Sequence, residues 1–154
     1  MVKVTLVCVG APRGVLAPAI AEYEGRAQRY FEVVTTEVSA GKGAPEQVKK
    51  SEGDQILRRV PAGSRVYALT RDGSRCSSRS LAAHLEEMAT YGPAKAVFLI
   101  GGAFGLDAQV QESADRRLSL SDFTLPHDLA RLVLLEQLYR AGTILRGEPY
   151  HKGS

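Results

Sequence analysis

The chain has no tryptophan, only two cysteines, two methionines and three histidines, and aromatic residues make up just 6% of it. Each shortage excludes something. Cys8 and Cys76 lie far apart, with no C-x-x-C and no metal-ligand spacing, so neither a disulfide framework nor a zinc site is expected. That pattern predicts a reduced, cytoplasmic, metal-free protein. No apolar run approaches the roughly 20 residues a membrane span needs. Met1-Val2-Lys3 leads straight into a strand-like run without a small-residue cleavage site, so no signal peptide is read. Repeats, low-complexity segments and linkers are also missing. The first strand-like run is followed by "GAPRG" rather than G-x-G-x-x-G, and no G-K-[ST] occurs, which argues against dinucleotide and nucleoside triphosphate sites. No Ser-His-Asp order or carboxylate pair stands out.

What is present suits one domain spanning residues 1–154, with 44% hydrophobic and 24% charged residues. The net charge is +3, and arginines outnumber lysines 14 to 6. They cluster, as Arg71, Arg75 and Arg79, as Arg116 and Arg117, and as Arg140 and Arg146 with Lys152. Arginine grips phosphate bidentately, so the clusters are compatible with RNA; a solvated basic face is the equal alternative.

Strand and helix patterns alternate. "KVTLVCVG", "EVVTTEVSAG", "RVYALT", "KAVFLI" and "RRLSLS" read as strands, and "KAVFLI" is continuous enough for burial on both faces. Helical spacing runs through "VLAPAIAEYEGRAQRYF", "EQVKKSEGDQILRRV" (opened by Pro45 and weakened by Gly53), "SLAAHLEEMATYG", a short helix, and a long final helix from Pro126. The implied fold is α/β, a mostly parallel sheet flanked by helices. Cys8 should be a buried thiol and Cys76 an exposed one.

Ligands of such sheets bind beyond the carboxyl ends of strands. Three loops qualify: the one after "VYALT", the glycine run Gly101-Gly102-Ala103-Phe104-Gly105, and Leu120 to Leu125. A glycine loop lets backbone approach a ligand, although a tight turn explains it equally well. His84 reads as structural or exposed, and His127 as a capping or packing group at a helix start. His151 sits almost at the end, beside Pro149 and Tyr150 and between Arg146 and Lys152, an odd composition for an idle tail. The final helix is apolar on nearly every side through residues 129–141, so a lone chain should expose Leu132, Leu135 or Leu138.

The stretch "FLIGGAFGL…RRLSLSDFTLPHDLARLVLLEQLYRAGTILRGEPYHK", with Ser39-Ala40-Gly41-Lys42 upstream, resembles the ribosomal RNA large subunit methyltransferase H family of the SPOUT superfamily. The resemblance spans essentially the whole chain. It implies a carboxyl-terminal trefoil knot, a homodimer that buries the final helix, and S-adenosylmethionine as cofactor. The implied activity is methylation of N3 of a pseudouridine in helix 69 of 23S rRNA on the ribosome, without metal or membrane. Carried over by residue, the cofactor site would be Leu69, Gly101, Leu120, Ser121, Asp122, Phe123, Thr124 and Leu125. The catalytic residues would be His151, Tyr150 and Arg140, reaching the partner's cofactor. The loop Thr70-Arg71-Asp72-Gly73-Ser74 departs from the family's common Asp-x-x-Gly-Lys. Two other readings stay open: a SPOUT enzyme acting on tRNA or another rRNA site, and a non-catalytic ribosome-binding protein of the same fold.

Overall fold

A computed structural model describes residues 1–153. Its centre is β1 (Lys3–Val9), a β-branched run buried along almost its whole length. On one side β1 pairs with β2 (Glu32–Val38), and on the other with β4 (Lys95–Leu99). Next to β4 lies β3 (Arg65–Arg75), and β5 (Arg116–Ser119) closes that edge. The order is β2-β1-β4-β3-β5, and every pairing is parallel.

Side chains alternate across a strand, so the sheet feeds two cores. Val4, Leu6 and Phe98 join Ile20 of α1 (Leu16–Ala27), Leu85 of α3 (Ser78–Tyr91) and Leu135 of α5 (His127–Leu145) on one face. Val7, Val97 and Leu99 join Ile56 of α2 (Pro45–Arg58) and Val110 of α4 (Ala108–Ser113) on the other. Gly53 of α2 has a packing reason. A Cβ there would lie 3.0 Å from Val110 Cγ2 and 3.1 Å from Asp107 Cβ, so the glycine lets the two helices approach.

The structure departs from the expected elements in four places. Strand β3 does not stop at Thr70 but continues to Arg75: Leu69 and Ser74 both pair with Leu118, and the residues between them bulge out. Strand β5 ends at Ser119, two residues earlier than "RRLSLS" suggested. Cys76 is half-buried against the first core, and Cys8 is buried as read, with burial pushing its thiol up to about 12. The fourth concerns α5. Leu135 and Leu138 are fully buried within one chain, because the sheet, α1 and α3 already surround that length of helix. Only Leu132, among the leucines expected to be exposed, remains part-open. Burial of Arg131 adds a polar anchor: its Nη1 donates to Glu37 at the end of β2 at 2.8 Å.

Candidate active site

The bulge within β3 and the carboxyl ends of β4 and β5 open into a cleft of about 480 Å³. Their adjacency at one end of the sheet brings three loops together that are distant in sequence. Leu69, Gly101, Leu120, Ser121, Phe123, Thr124 and Leu125 all line this cleft. Asp122 does not. Its carboxylate faces away and accepts from Arg75 Nη2 at 2.8 Å, with three-quarters of the side chain in solvent.

The glycine loop is tight by construction. Gly102 O accepts the Gly105 N–H at 3.1 Å, and Gly105 takes φ +83°, which favours glycine. At Gly101 the reason is space: a Cβ would fall 2.5 Å from Gly105 C and 2.7 Å from Leu106 N. The loop therefore folds back on its own first glycine. Phe104 and Phe123 leave much of their rings exposed, and both line the cleft. His127, at the first turn of α5, also lines it, and its Nδ1 lies 3.2 Å from Asp128 Oδ1. Thr70 lines it with a buried hydroxyl that has no hydrogen-bond partner.

Beneath the loop lies a group that the sequence reading missed. Glu52 of α2 is only 3% exposed, and its Oε2 accepts the Gly41 N–H at 3.0 Å. Its Oε1 is buried without a partner, and a Cβ on Gly102 would fall 2.8 Å from it. One carboxylate thus touches both the "SAGK" turn and the glycine loop. The signal was legible: Val48, Glu52 and Ile56 share one helical face, and a charge in the middle of an apolar stripe calls for an explanation.

The carboxyl-terminal residues gather elsewhere. Residues Pro149–His151 form a 3₁₀ turn against the end of α5. Glu136 Oε1 accepts from Arg140 Nε at 3.0 Å and Nη2 at 2.6 Å, and from the Tyr150 hydroxyl at 3.1 Å. The Arg140 guanidinium lies 5.0 Å from the Tyr150 ring centre. Burial pushes the Tyr150 phenol well above its ordinary value; hydrogen bonding to Tyr23 and the Glu136 charge act in the same direction. His151 has a buried Nδ1 without a hydrogen-bond partner. Along α5, Ala130 in the cleft and Arg140 in this cluster are ten residues apart, roughly 15 Å of helix. Arg140, Tyr150 and His151 do not line their own chain's cleft.

A parallel sheet with helices on both faces, and a cleft built from three loops at its carboxyl edge, is the setting of a SPOUT methyltransferase. The family model described as predicted SPOUT methyltransferase matches residues 2–151. A protein of Syntrophotalea carbinolica named "Ribosomal RNA large subunit methyltransferase H" is 46% identical over 153 residues, covering 97% of this chain and 98% of its own. Proteins of the same name from Gemmatimonas aurantiaca and Listeria welshimeri are 44% and 47% identical, over 97% and 89% of this chain and 99% and 91% of their own. The chain belongs to the ribosomal RNA large subunit methyltransferase H family, and it is a methyltransferase.

Proposed function

We propose that this protein transfers a methyl group from S-adenosylmethionine to N3 of a pseudouridine in helix 69 of 23S rRNA, working in the cytoplasm on the ribosome as a homodimer. The observation that carries the cofactor assignment is the three-loop cleft. It offers apolar walls in Leu69, Leu120 and Leu125, accessible backbone at the glycine loop, and the unpartnered buried hydroxyl of Thr70. Such a lining fits a ligand with a flat heterocycle and several hydrogen-bonding groups. The cofactor supplies an electrophilic methyl carried on a sulfonium; the chain must supply everything else.

The target N3 is an imide nitrogen that must lose its proton as it attacks. Tyr150, with its phenol held neutral by burial and by Glu136, is a donor and a stacking surface rather than a base. Arg140, gripped by Glu136, presents fixed positive charge beside the Tyr150 ring, suited to steady charge developing on the uracil oxygens. His151 is the remaining titratable group of the cluster and the proton acceptor in this reading. Because Arg140, Tyr150 and His151 do not line their own chain's cleft, they serve the cleft of a second copy in this reading. Leu132 and its part-open apolar neighbours on α5 suit the contact between copies.

The test is methylation of ribosomal particles from cells lacking this gene, followed by mass mapping of the labelled nucleoside. A label on N3 of a helix 69 pseudouridine is expected. A label elsewhere would overturn the substrate assignment, and failure to bind S-adenosylmethionine in calorimetry would overturn the cofactor assignment.

A further inference from the structure

The cofactor cleft does not end at Ser121. A second depression of about 350 Å³ shares Leu120 and Ser121 with the cleft and continues past Ser119 to Arg75 and Cys76. A third, of about 440 Å³, shares Arg75 and Cys76 with the second and is lined by Ser80, His84, Arg116 and Arg117. The three form one groove along the β3–β5 edge of the sheet, running from the cleft to the flank of α3.

The charges along this groove are not equivalent. Asp115 is exposed and lines the third depression, but its Oδ2 is engaged, accepting the Val66 N–H at 2.7 Å. Asp72 and Asp122 pair with Arg117 at 3.8 Å and Arg75 at 2.8 Å, but both carboxylates are three-quarters exposed. Exposed pairs of this kind are worth little, so they exchange readily for another anion. Arg116 makes no ion pair among the described residues. His84 beside it has a buried Nδ1 without a partner. Burial and the nearby Arg116 charge both hold its pKa below the ordinary value, so positive charge already crowds this end of the groove. An uncommitted guanidinium, two weakly committed ones and a serine hydroxyl form a donor set for phosphate oxygens, which guanidinium groups take bidentately.

We propose that this groove holds the sugar-phosphate backbone of the RNA, with Arg116 and Arg117 gripping phosphates that flank the nucleotide entering the cofactor cleft. The proposal rests on the RNA substrate assigned above, but it is tested separately. It makes the β3–β5 edge a positioning surface for the substrate and leaves cofactor binding to the cleft.

The experiment compares the full-length wild type with Arg116→Ala, Arg117→Ala and the double variant. Binding to oligouridylate and KM for unmodified ribosomal particles are measured from about 50 to 200 mM salt, a range over which phosphate contacts dominate the change. The double variant should weaken RNA binding and raise KM by about tenfold, on the scale of a lost charge-assisted contact. It should also flatten the log–log salt dependence by about 0.7 per phosphate released. Cofactor affinity and kcat should stay at wild-type values, and Arg116→Lys should keep most of the salt slope. Wild-type affinity and slope in the double variant would overturn the proposal. So would a loss of affinity with an unchanged slope, or an altered sedimentation coefficient with unchanged RNA binding, which would assign the edge to contact between copies. If the wild type binds oligouridylate with the expected slope and does not methylate the particles, the substrate assignment fails and the groove stands.

Discussion

The two ends of α5 face opposite problems, and their side chains differ accordingly. At the amino-terminal end the cleft is walled largely by backbone and apolar groups, with Thr70 unpartnered and Phe123 open to solvent. At the carboxyl-terminal end most side chains are fastened, although the buried His151 Nδ1 has no partner. Tyr139 sits against Tyr23, Tyr30 and Tyr150 at ring-centre distances of 6.4, 5.9 and 4.5 Å. The Tyr30 hydroxyl donates to Glu148 at 2.6 Å, and the Arg146 guanidinium lies 4.9 Å from the Tyr30 ring centre. A site that receives a ligand leaves groups unsatisfied until the ligand comes. The proposed delivery of groups to a second copy would call for a rigid base instead. On the proposed reading, the contrast corresponds to binding at one end of the helix and delivery at the other.

The strongest way to break this comparison is to remove the carboxyl-terminal end alone. Truncation after Glu148 deletes Tyr150 and His151 while keeping the Tyr30–Glu148 bond. Methyl transfer should fall by about 10²-fold or more, the usual scale for a lost general base, while cofactor affinity and fold remain. Single-turnover methylation across a pH series reads this, and His151→Ala should reproduce most of it. A truncated protein with wild-type rates would return the tail to an idle end.

The reciprocal change damages the receiving end. Gly101→Val puts a branched side chain where Gly105 and Leu106 backbone already stands, so the loop must open. Cofactor affinity should drop by at least about tenfold in calorimetry, consistent with a loss of loop geometry rather than one contact. Smaller and more informative is Glu52. Glu52→Ala removes the acceptor of the Gly41 N–H and the prop beneath Gly102, and should weaken cofactor binding several-fold. Glu52→Gln keeps an acceptor oxygen in the same volume and should restore most of the affinity.

Two stability measurements sharpen the comparison without touching chemistry. A Cβ on Gly142 would run into the Tyr30 ring, so Gly142→Ala should destabilise by about 1–3 kcal/mol through overpacking at the fastened end. Thermal unfolding of the variant reads it directly. The smallest effect is alkaline. The Cys8 thiol and the Tyr30 phenol are each pushed up to about 12 in the fold, chiefly by burial, from ordinary values of 9.0 and 10.0. The folded state therefore holds these protons more tightly than the unfolded chain. Their contribution is complete below about pH 9 and should be lost progressively as pH rises toward 12, lowering the melting temperature. Cys8→Val should flatten part of that decline.

Much of this architecture is written in local pattern. "KVTLVCV" and "KAVFL" are buried strands because β-branched and apolar runs have nowhere else to go, and Ser77 caps α3 by accepting the Ser80 N–H at 3.0 Å. Of the three ligand loops, the one after "VYALT" is a bulge within β3, whereas the glycine loop and the loop from Leu120 to Leu125 were legible because each directly follows a strand. The second half of β3 was not: "TRDGSR" is polar and turn-like, and only pairing with β5 makes it strand. A Cβ on Gly73 would fall 2.8 Å from the Leu118 backbone, a closeness that no local rule foretells.

By itself, then, the sequence determined the alternation of elements, the two apolar faces of the sheet, and which loops carry glycine and hydroxyls, because these follow from side-chain period and backbone freedom. Tertiary structure alone decided which loops meet. Strand order, a long-range pairing choice, set β3, β4 and β5 side by side and turned three separate loops into one cleft. It decided also that Asp122 looks away from that cleft, that Glu52 stands beneath it, and that Tyr150 and His151 lie outside it. Such placements depend on where residues distant in sequence come to pack, and no local pattern encodes them.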